Sequence, residues 1–551
     1  MSKSALNQTS KREYGSSRRE LFRQGGLLTL VGALPALGNT TTRAAMSTAN
    51  QSSTALYNSI GVRPLINAKG TFTIITGSET LPEVKQAMDE ASRGYVQMDE
   101  LMDGVGKALA ELTGAEWGIV TAGCCAALTH TTSACLAGTN PERMQRLPDL
   151  TGLKSEVIIP AYSRNVYDHA IRMLGVKIIE INNFSELEPA FNERTALVYI
   201  LAGPGDDGPL GTQAVSEVAK RHGVPVIVDA AAEILTIPNV HLQRGATAVA
   251  YSGGKCIRGP QAAGLLLGEK NLLQAAWANS APHHAFGRSL KVGKEEIMGM
   301  LAAAQMWKKR DHDAEWQQWQ GWLQEISTGV KRVPGVTTTL HGAEEGLSNR
   351  SPRLTIAWDG SQLGITGEEV SKLLLDTEPR IVLGSAHGSR PDNMASSLSI
   401  TAYMMMPGDA KVVAERIYAV LSKPPKMASP EPLPQGEPAM VAGQWEVRID
   451  FDRGSATHTV ILEQKGNDLE GTHHGEWVSG DLRGSVAVNL IRFRSSQRIQ
   501  GTRLSYDFTG TVDGDKMAGD VNLGEYGAAR WSAQRHEYKL PKGVIRPVKP
   551  A

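Results

Sequence analysis

Val249-Ala-Tyr-Ser-Gly-Gly-Lys255-Cys-Ile-Arg-Gly-Pro-Gln-Ala-Ala-Gly264 sets a single lysine between a small-residue turn and a Gly-Pro turn. Upstream, the apolar run Val226-Ile-Val-Asp229-Ala-Ala-Ala ends in a carboxylate. A buried strand closing on an acid, then a strand closing on a lysine, is the order expected of an enzyme that uses pyridoxal 5′-phosphate (PLP). Lys255 would form the Schiff base, and Asp229 would keep the pyridine nitrogen protonated and so deepen the electron sink. Strands ending in Asp and loops carrying Lys also occur in α/β proteins without such chemistry, so the reading depends on what surrounds the pair.

Further upstream, Glu116-Trp-Gly-Ile-Val-Thr-Ala-Gly123-Cys-Cys-Ala-Ala-Leu reads as a strand, a tight turn and a helix of small residues. Small residues let backbone N–H groups approach an anion, and a helix N-terminus adds unpaired donors and partial positive charge. Ala122, Gly123, Cys124 and Cys125 are therefore the candidate phosphate cup. Between cup and lysine, apolar runs near 157–160, 176–181, 196–201 and 224–229 alternate with helical patterns. That alternation indicates a mostly parallel sheet covered on both faces, with its site at the strands' carboxyl ends.

A helical stretch over 295–328 leads to a smaller α/β unit, with strands near 353–358 and 397–403 and helices over 367–376 and 409–421. A proline-rich linker follows. Thereafter short alternating segments, one of them over 485–493, separated by turns such as Lys465-Gly-Asn-Asp, indicate an antiparallel sheet or small up-and-down barrel. His473-His474 is read as a solvated pair rather than a metal site, because adjacent strand residues face opposite sides.

At the N-terminus, Ser17-Arg18-Arg19-Glu20-Leu21-Phe22-Arg23 followed by the short apolar segment 25–37 matches a twin-arginine export signal. That segment is too short to span a membrane as a stable helix. The expected divisions are a signal over 1–45, an arm and large PLP-binding domain over 46–329, and a small domain over 330–422. A linker over 423–440, a β domain over 441–538 and a tail over 539–551 complete the chain.

Net charge is +0 with 41% hydrophobic and 21% charged residues, and no basic block marks a nucleic-acid partner. Four cysteines in 551 residues exclude a disulfide scaffold and show no zinc-site spacing, so no metal is expected. Cys124 and Cys125 read as small buried thiols, and Cys256, next to the lysine, as a minority candidate for reactivity.

Several stretches together resemble the selenocysteine-synthase-like group of fold-type I PLP enzymes, on the side of the D-glucosaminate-6-phosphate ammonia-lyase branch. They are Leu65-Ile-Asn-Ala-Lys-Gly-Thr-Phe-Thr73, Val96-Gln-Met-Asp-Glu-Leu101, Arg164-Asn-Val-Tyr-Asp-His-Ala-Ile-Arg172, Val228-Asp-Ala-Ala-Ala-Glu233, Ser252-Gly-Gly-Lys255 with Gly259-Pro-Gln261, and Gly287-Arg-Ser-Leu-Lys-Val-Gly-Lys-Glu-Glu-Ile297. The resemblance covers about 63–421 and leaves out the export signal and the β domain. It implies a homodimer or higher homo-oligomer with shared sites, and a phosphate contact for Ser252. The cup departs from the family in its Cys-Cys pair. The segment 160–164 lacks the histidine often found there, so Tyr162 is the first candidate to stack on the ring, with a core tyrosine as the alternative.

Arg164, Arg288 and Arg353 are candidates for a substrate carboxylate, each with a structural salt bridge as the alternative. The expected function is an exported PLP lyase performing α,β-elimination on an amino acid or amino-sugar acid. Aminotransferase or racemase chemistry shares its first steps, and a non-catalytic periplasmic binding protein on a PLP scaffold is the alternative of another class.

Overall fold

The computed structural model describes residues 55–342, 346–391, 393–427 and 434–537. The segments expected to be an export signal and a tail therefore lie outside the described residues. The described residues from Leu65 onward belong to one compact unit.

Seven strands build the large sheet: β1 (Trp117–Thr121), β2 (Glu156–Pro160), β3 (Lys177–Ile181), β4 (Thr195–Leu201), β5 (Val226–Asp229), β6 (Ala248–Ser252) and β7 (Gly264–Gly268). Their order is β1-β7-β6-β5-β4-β2-β3. Neighbours from β3 to β6 run parallel, whereas β7 is antiparallel to both β6 and β1. β1, β2, β5 and β7 are buried along their whole length, which is why they read as unbroken apolar runs. Pairing of Gly264 with both Thr121 and Ser252 sets the end of β1 beside the end of β6. The cup and the lysine turn, far apart in sequence, thus become neighbours.

A second core forms around a four-stranded antiparallel sheet of Thr337–His341, Arg353–Asp359, Ala386–Ser389 and Asn393–Thr401. Ile66–Ala68 pairs in parallel with Ile381–Leu383, and Ala68 and Leu323 are buried in this core. Parts of the expected 46–329 division are therefore shared with the small domain. The helical stretch expected over 295–328 is two helices, Lys294–Lys309 and His312–Val330. The break comes at Arg310, which is extended, and Asp311, whose carboxylate accepts from the Ala314 N–H as an N-cap.

The C-terminal domain is a closed barrel of eight antiparallel strands, and closure leaves no edge to pair with another chain. Trp445, Phe493, Phe508 and Trp531 fill its interior. What the sequence suggested was one strand over 485–493 is the end of Ser479–Ala487, a turn, and the start of Leu490–Ile499. That turn carries Val488 at φ +52, a conformation β-branched residues rarely adopt, so its side chain disguised it. The expectation of a solvated His473-His474 pair is corrected. The two do face opposite sides, but His473 is fully buried, with Nε2 2.8 Å from His458 Nδ1. His474 stands outside against Thr472 and Ser479.

Among the described residues no helix is long and apolar enough to cross a membrane.

Candidate active site

Helix Gly123–Ala137 starts where β1 ends, and Ala122 precedes it without a side-chain cap. Gly123 adopts φ +82, and a Cβ on Gly264 would fall 2.4 Å from the Gly123 carbonyl carbon. Glycine at both positions lets strand and turn lie flush, and small side chains keep the first-turn N–H groups clear. Asp229, at the end of β5, is 2% exposed. Its Oδ1 accepts from the Ala231 N–H at 3.1 Å and the Cys124 thiol at 3.4 Å, and its Oδ2 accepts from the Tyr199 hydroxyl at 3.0 Å. Burial pushes the Asp229 carboxyl upward, against the pull of its bonds from Ala231 and Tyr199. A cation set against such a carboxyl stabilises its ionised form, and a protonated pyridine is a cation of that kind.

Lys255 follows β6 through Gly253-Gly254. A Cβ on Gly253 would lie 2.5 Å from the Pro260 carbonyl oxygen, and one on Gly254 2.9 Å from Gln261 Cα. The Gly-Gly pair is thus required by the Gly259-Pro260-Gln261 loop folding back over it. Lys255 Nζ donates to the Thr71 carbonyl oxygen at 2.6 Å. Partial burial lowers its pKa below that of a free lysine, which favours the neutral, nucleophilic amine. Burial, then Asp229, holds the Cys124 thiol well above its usual range, so this thiol stays neutral beside the carboxylate.

Thr71 is fixed in turn. Its N–H donates to the Tyr403 hydroxyl at 3.0 Å, and a Cβ on Gly70 would fall 2.6 Å from that oxygen. Asn67 closes the turn, accepting from the N–H groups of Lys69 and Gly70. The small domain also reaches in beside Asp229: Asn349 N–H donates to the Ala232 carbonyl at 2.8 Å and Leu347 accepts from the Ile234 N–H at 3.0 Å. The site therefore joins an amine of lowered pKa, a buried carboxylate and a helix N-terminus without a side-chain cap. That donor set fits a phosphorylated pyridine aldehyde.

No family model matches the chain. It is 28% identical over 330 residues to a D-glucosaminate-6-phosphate ammonia lyase of Salmonella typhimurium, covering 58% of this chain and 86% of that one. A solved structure of D-glucosaminate-6-phosphate ammonia-lyase superposes with a TM-score of 0.59 at 26% identity, covering 66% of this chain and 98% of that one. In sequence and fold the chain is similar to selenocysteine-synthase-like, fold-type I enzymes. It is also 29% identical to a 5′-C-glycyluridine monooxygenase-decarboxylase of a Streptomyces species, over 55% of this chain and 78% of that one. An L-seryl-tRNA(Sec) selenium transferase of Proteus mirabilis is 23% identical, over 46% of this chain and 58% of that one.

Within this fold-type I frame the sequence candidates separate. Asp229 and Cys124 are in contact, Lys255 follows the strand paired with that of Asp229, and Ser252 ends β6 beside Gly264. Cys125 is exposed on the same first turn. Tyr162 lies over Gly205 and donates to the Leu210 carbonyl at 3.0 Å.

For Arg164 the structure shows the salt-bridge alternative. Its Nε meets Asp168 at 2.7 Å, one terminal nitrogen Glu180 at 2.7 Å and the other Gln500 at 2.7 Å. Every face of that guanidinium is engaged by protein. Arg288 is exposed on the loop after Gly287. Arg353 pairs in register with Thr401, two residues before Tyr403, on the side of the small domain that holds Thr71. Cys256 is not activated: burial raises its thiol to about 12, and its Sγ lies 3.1 Å from the Glu233 carbonyl.

Thr71, Tyr403, Tyr199 and Asn349 were not singled out from sequence as site residues. Thr71 lies inside a quoted family stretch, but nothing in its local pattern marks it as the holder of a lysine. A buried charge group was also missed. His241 Nε2 lies 2.6 Å from Glu233 Oε2, and its Nδ1 lies 3.5 Å from Asp206 Oδ2.

Proposed function

We propose that this protein is an exported PLP-dependent lyase that performs α,β-elimination on an amino acid or amino-sugar acid and releases ammonia. The carrying observation is that the Lys255 amine, held on Thr71, follows the strand paired with the one that ends in buried Asp229, and that Asp229 is bonded by Cys124 from the first turn of Gly123–Ala137. Similarity to an ammonia lyase supports the reaction class. PLP bound here would supply the electron sink that makes a Cα–H bond acidic.

The chain's own groups do the rest. Asp229 would hold a proton at the ring nitrogen. The first-turn N–H groups of Gly123, Cys124 and Cys125, with the Ser252 hydroxyl, would hold the phosphate. The Lys255 amine would accept the Cα proton and return it to a leaving hydroxyl, which departs as water. Thr71 and Tyr403 keep that amine in place. Arg288, in the stretch Gly287–Ile297, is the first candidate for a substrate carboxylate, and Arg353, paired in register with Thr401, is the second.

Export by the twin-arginine machinery is supported by Arg18-Arg19 and the apolar segment behind them. That route carries folded proteins, so cofactor loading would precede export. A homo-oligomer is part of the same reading and is checked by light scattering.

The deciding experiment incubates purified protein and PLP with a panel of amino acids and amino-sugar acids. Ammonia and a keto product should form without a keto-acid acceptor. Turnover that requires such an acceptor would make the protein an aminotransferase, and a failure to bind PLP would remove the assignment.

A further inference from the structure

The barrel meets the catalytic domain at a hairpin turn. Gln500 and Gly501 join strands Leu490–Ile499 and Thr502–Asp513. Gln500 adopts φ +53, which disfavours any side chain and suits glycine. Yet the glycine stands one position later. There, a Cβ would fall 2.0 Å from the Asn165 carbonyl oxygen, 2.4 Å from its carbon and 2.7 Å from the Asn165 nitrogen. The glycine thus serves the contact with Asn165 rather than the positive φ. Gln500 accepts from Arg164 at 2.7 Å, and Arg164 is fixed on buried Asp168.

What the turn presses on leads directly inward. Asn165 Nδ2 donates to the Tyr199 hydroxyl oxygen at 2.9 Å and to the Ser163 carbonyl at 2.8 Å. With its oxygen accepting from Asn165, Tyr199 has its single proton to give, and it gives it to Asp229 Oδ2 at 3.0 Å. Tyr199 is fully buried, so water cannot substitute for either partner. Barrel turn, Asn165, Tyr199 and Asp229 form one chain of contacts.

We propose that the Gln500–Gly501 turn of the barrel is a positioning element for Asp229, acting through Asn165 and Tyr199, so that the added domain takes part in holding the cofactor. The inference rests on the PLP reading above. Backbone strain at Gln500 is maintained because the turn is seated on Asn165. Gly501→Ala should push Asn165 away, withdraw its bond to Tyr199 and leave the tyrosine free to turn from Asp229.

The test uses the full-length chain with PLP. Gly501→Ala is compared with Gly514→Ala, which strains a different barrel turn where φ is +57 and a Cβ would meet nothing within 4 Å. Gly501→Ala should weaken PLP binding about tenfold and change the ratio of the two absorbance bands of bound PLP at fixed pH. Gly514→Ala should do neither. Placed on Tyr199→Phe, Gly501→Ala should add little further, since both act through one link. Gln500→Ala, a milder change, should shift the band ratio in the same direction. Wild-type affinity and band ratio in folded Gly501→Ala, an equal effect from Gly514→Ala, or full additivity with Tyr199→Phe would each overturn the proposal while leaving the PLP reading intact. A wild-type protein that binds no PLP would overturn both.

Discussion

Lys255 and Thr71, distant in sequence, meet through a 2.6 Å hydrogen bond from the lysine Nζ to the threonine carbonyl. The Thr71 N–H is held by Tyr403 at 3.0 Å. The amine's position therefore depends on a tyrosine of the small domain, 7% exposed. Tyr403→Phe leaves the buried Thr71 N–H without its acceptor, at a cost of about 1–3 kcal/mol. Thermal stability should fall accordingly, and kcat should drop more than KM rises, because the loss is in the placement of Lys255 rather than in substrate contacts. A rise in KM alone would place Tyr403 against the substrate instead.

Lys255→Ala should abolish covalent attachment of the cofactor. After borohydride reduction, the wild-type chain should gain the mass of reduced PLP and the variant should not, as read by mass spectrometry of the intact chain. Partial burial lowers the lysine's pKa, so condensation with an aldehyde should proceed at lower pH than for a surface lysine. Attachment at another lysine in the variant would displace Lys255 from its role.

The large sheet was legible because β1, β2, β5 and β7 are buried along their length and read as apolar runs. The roles proposed for Lys255 and Asp229 could be read from sequence because Asp229 ends β5 and Lys255 follows β6 after two glycines. Thr71, Tyr403 and Tyr199 could not, since only tertiary packing brings them to the lysine and the carboxylate. Arg164 stood between two readings in the sequence for a related reason. An arginine in a family stretch suggests a ligand, but its true partners, Asp168, Glu180 and Gln500, include a residue from a different domain. In the barrel, period-2 alternation located the domain, while Val488 at φ +52 concealed one turn.

Arg164→Ala should therefore act on stability. Asp168 is fully buried between Arg164 and Arg172, each at 2.7 Å. Removing one partner of a buried carboxylate costs about 3 kcal/mol, moderated here by the remaining Arg172. Urea denaturation should show the loss, with KM for the amine substrate little changed. An unaltered denaturation midpoint with a raised KM would return Arg164 to the substrate.

His241 supplies a pH dependence whose sign can be worked out. Burial opposes its charge, but Asp206 at 3.5 Å and Glu233 at 2.6 Å outweigh burial and hold the imidazole at about 9, above its ordinary 6.5. A group protonated more tightly in the folded state adds stability that is complete below the unfolded pKa and is lost as pH rises through the folded one. The window is thus 6.5 to about 9, and the full change is on the order of 3 kcal/mol. Melting temperature should fall across that window as the imidazolium gives up its proton. His241→Gln should be less stable at pH 6, where the wild-type ion pair is intact, and should lack this slope. Because Glu233 accompanies Asp229 at the end of the same stretch, the slope should appear in PLP retention as well as in unfolding. A His241→Gln variant that kept the wild-type slope would assign the dependence to another group.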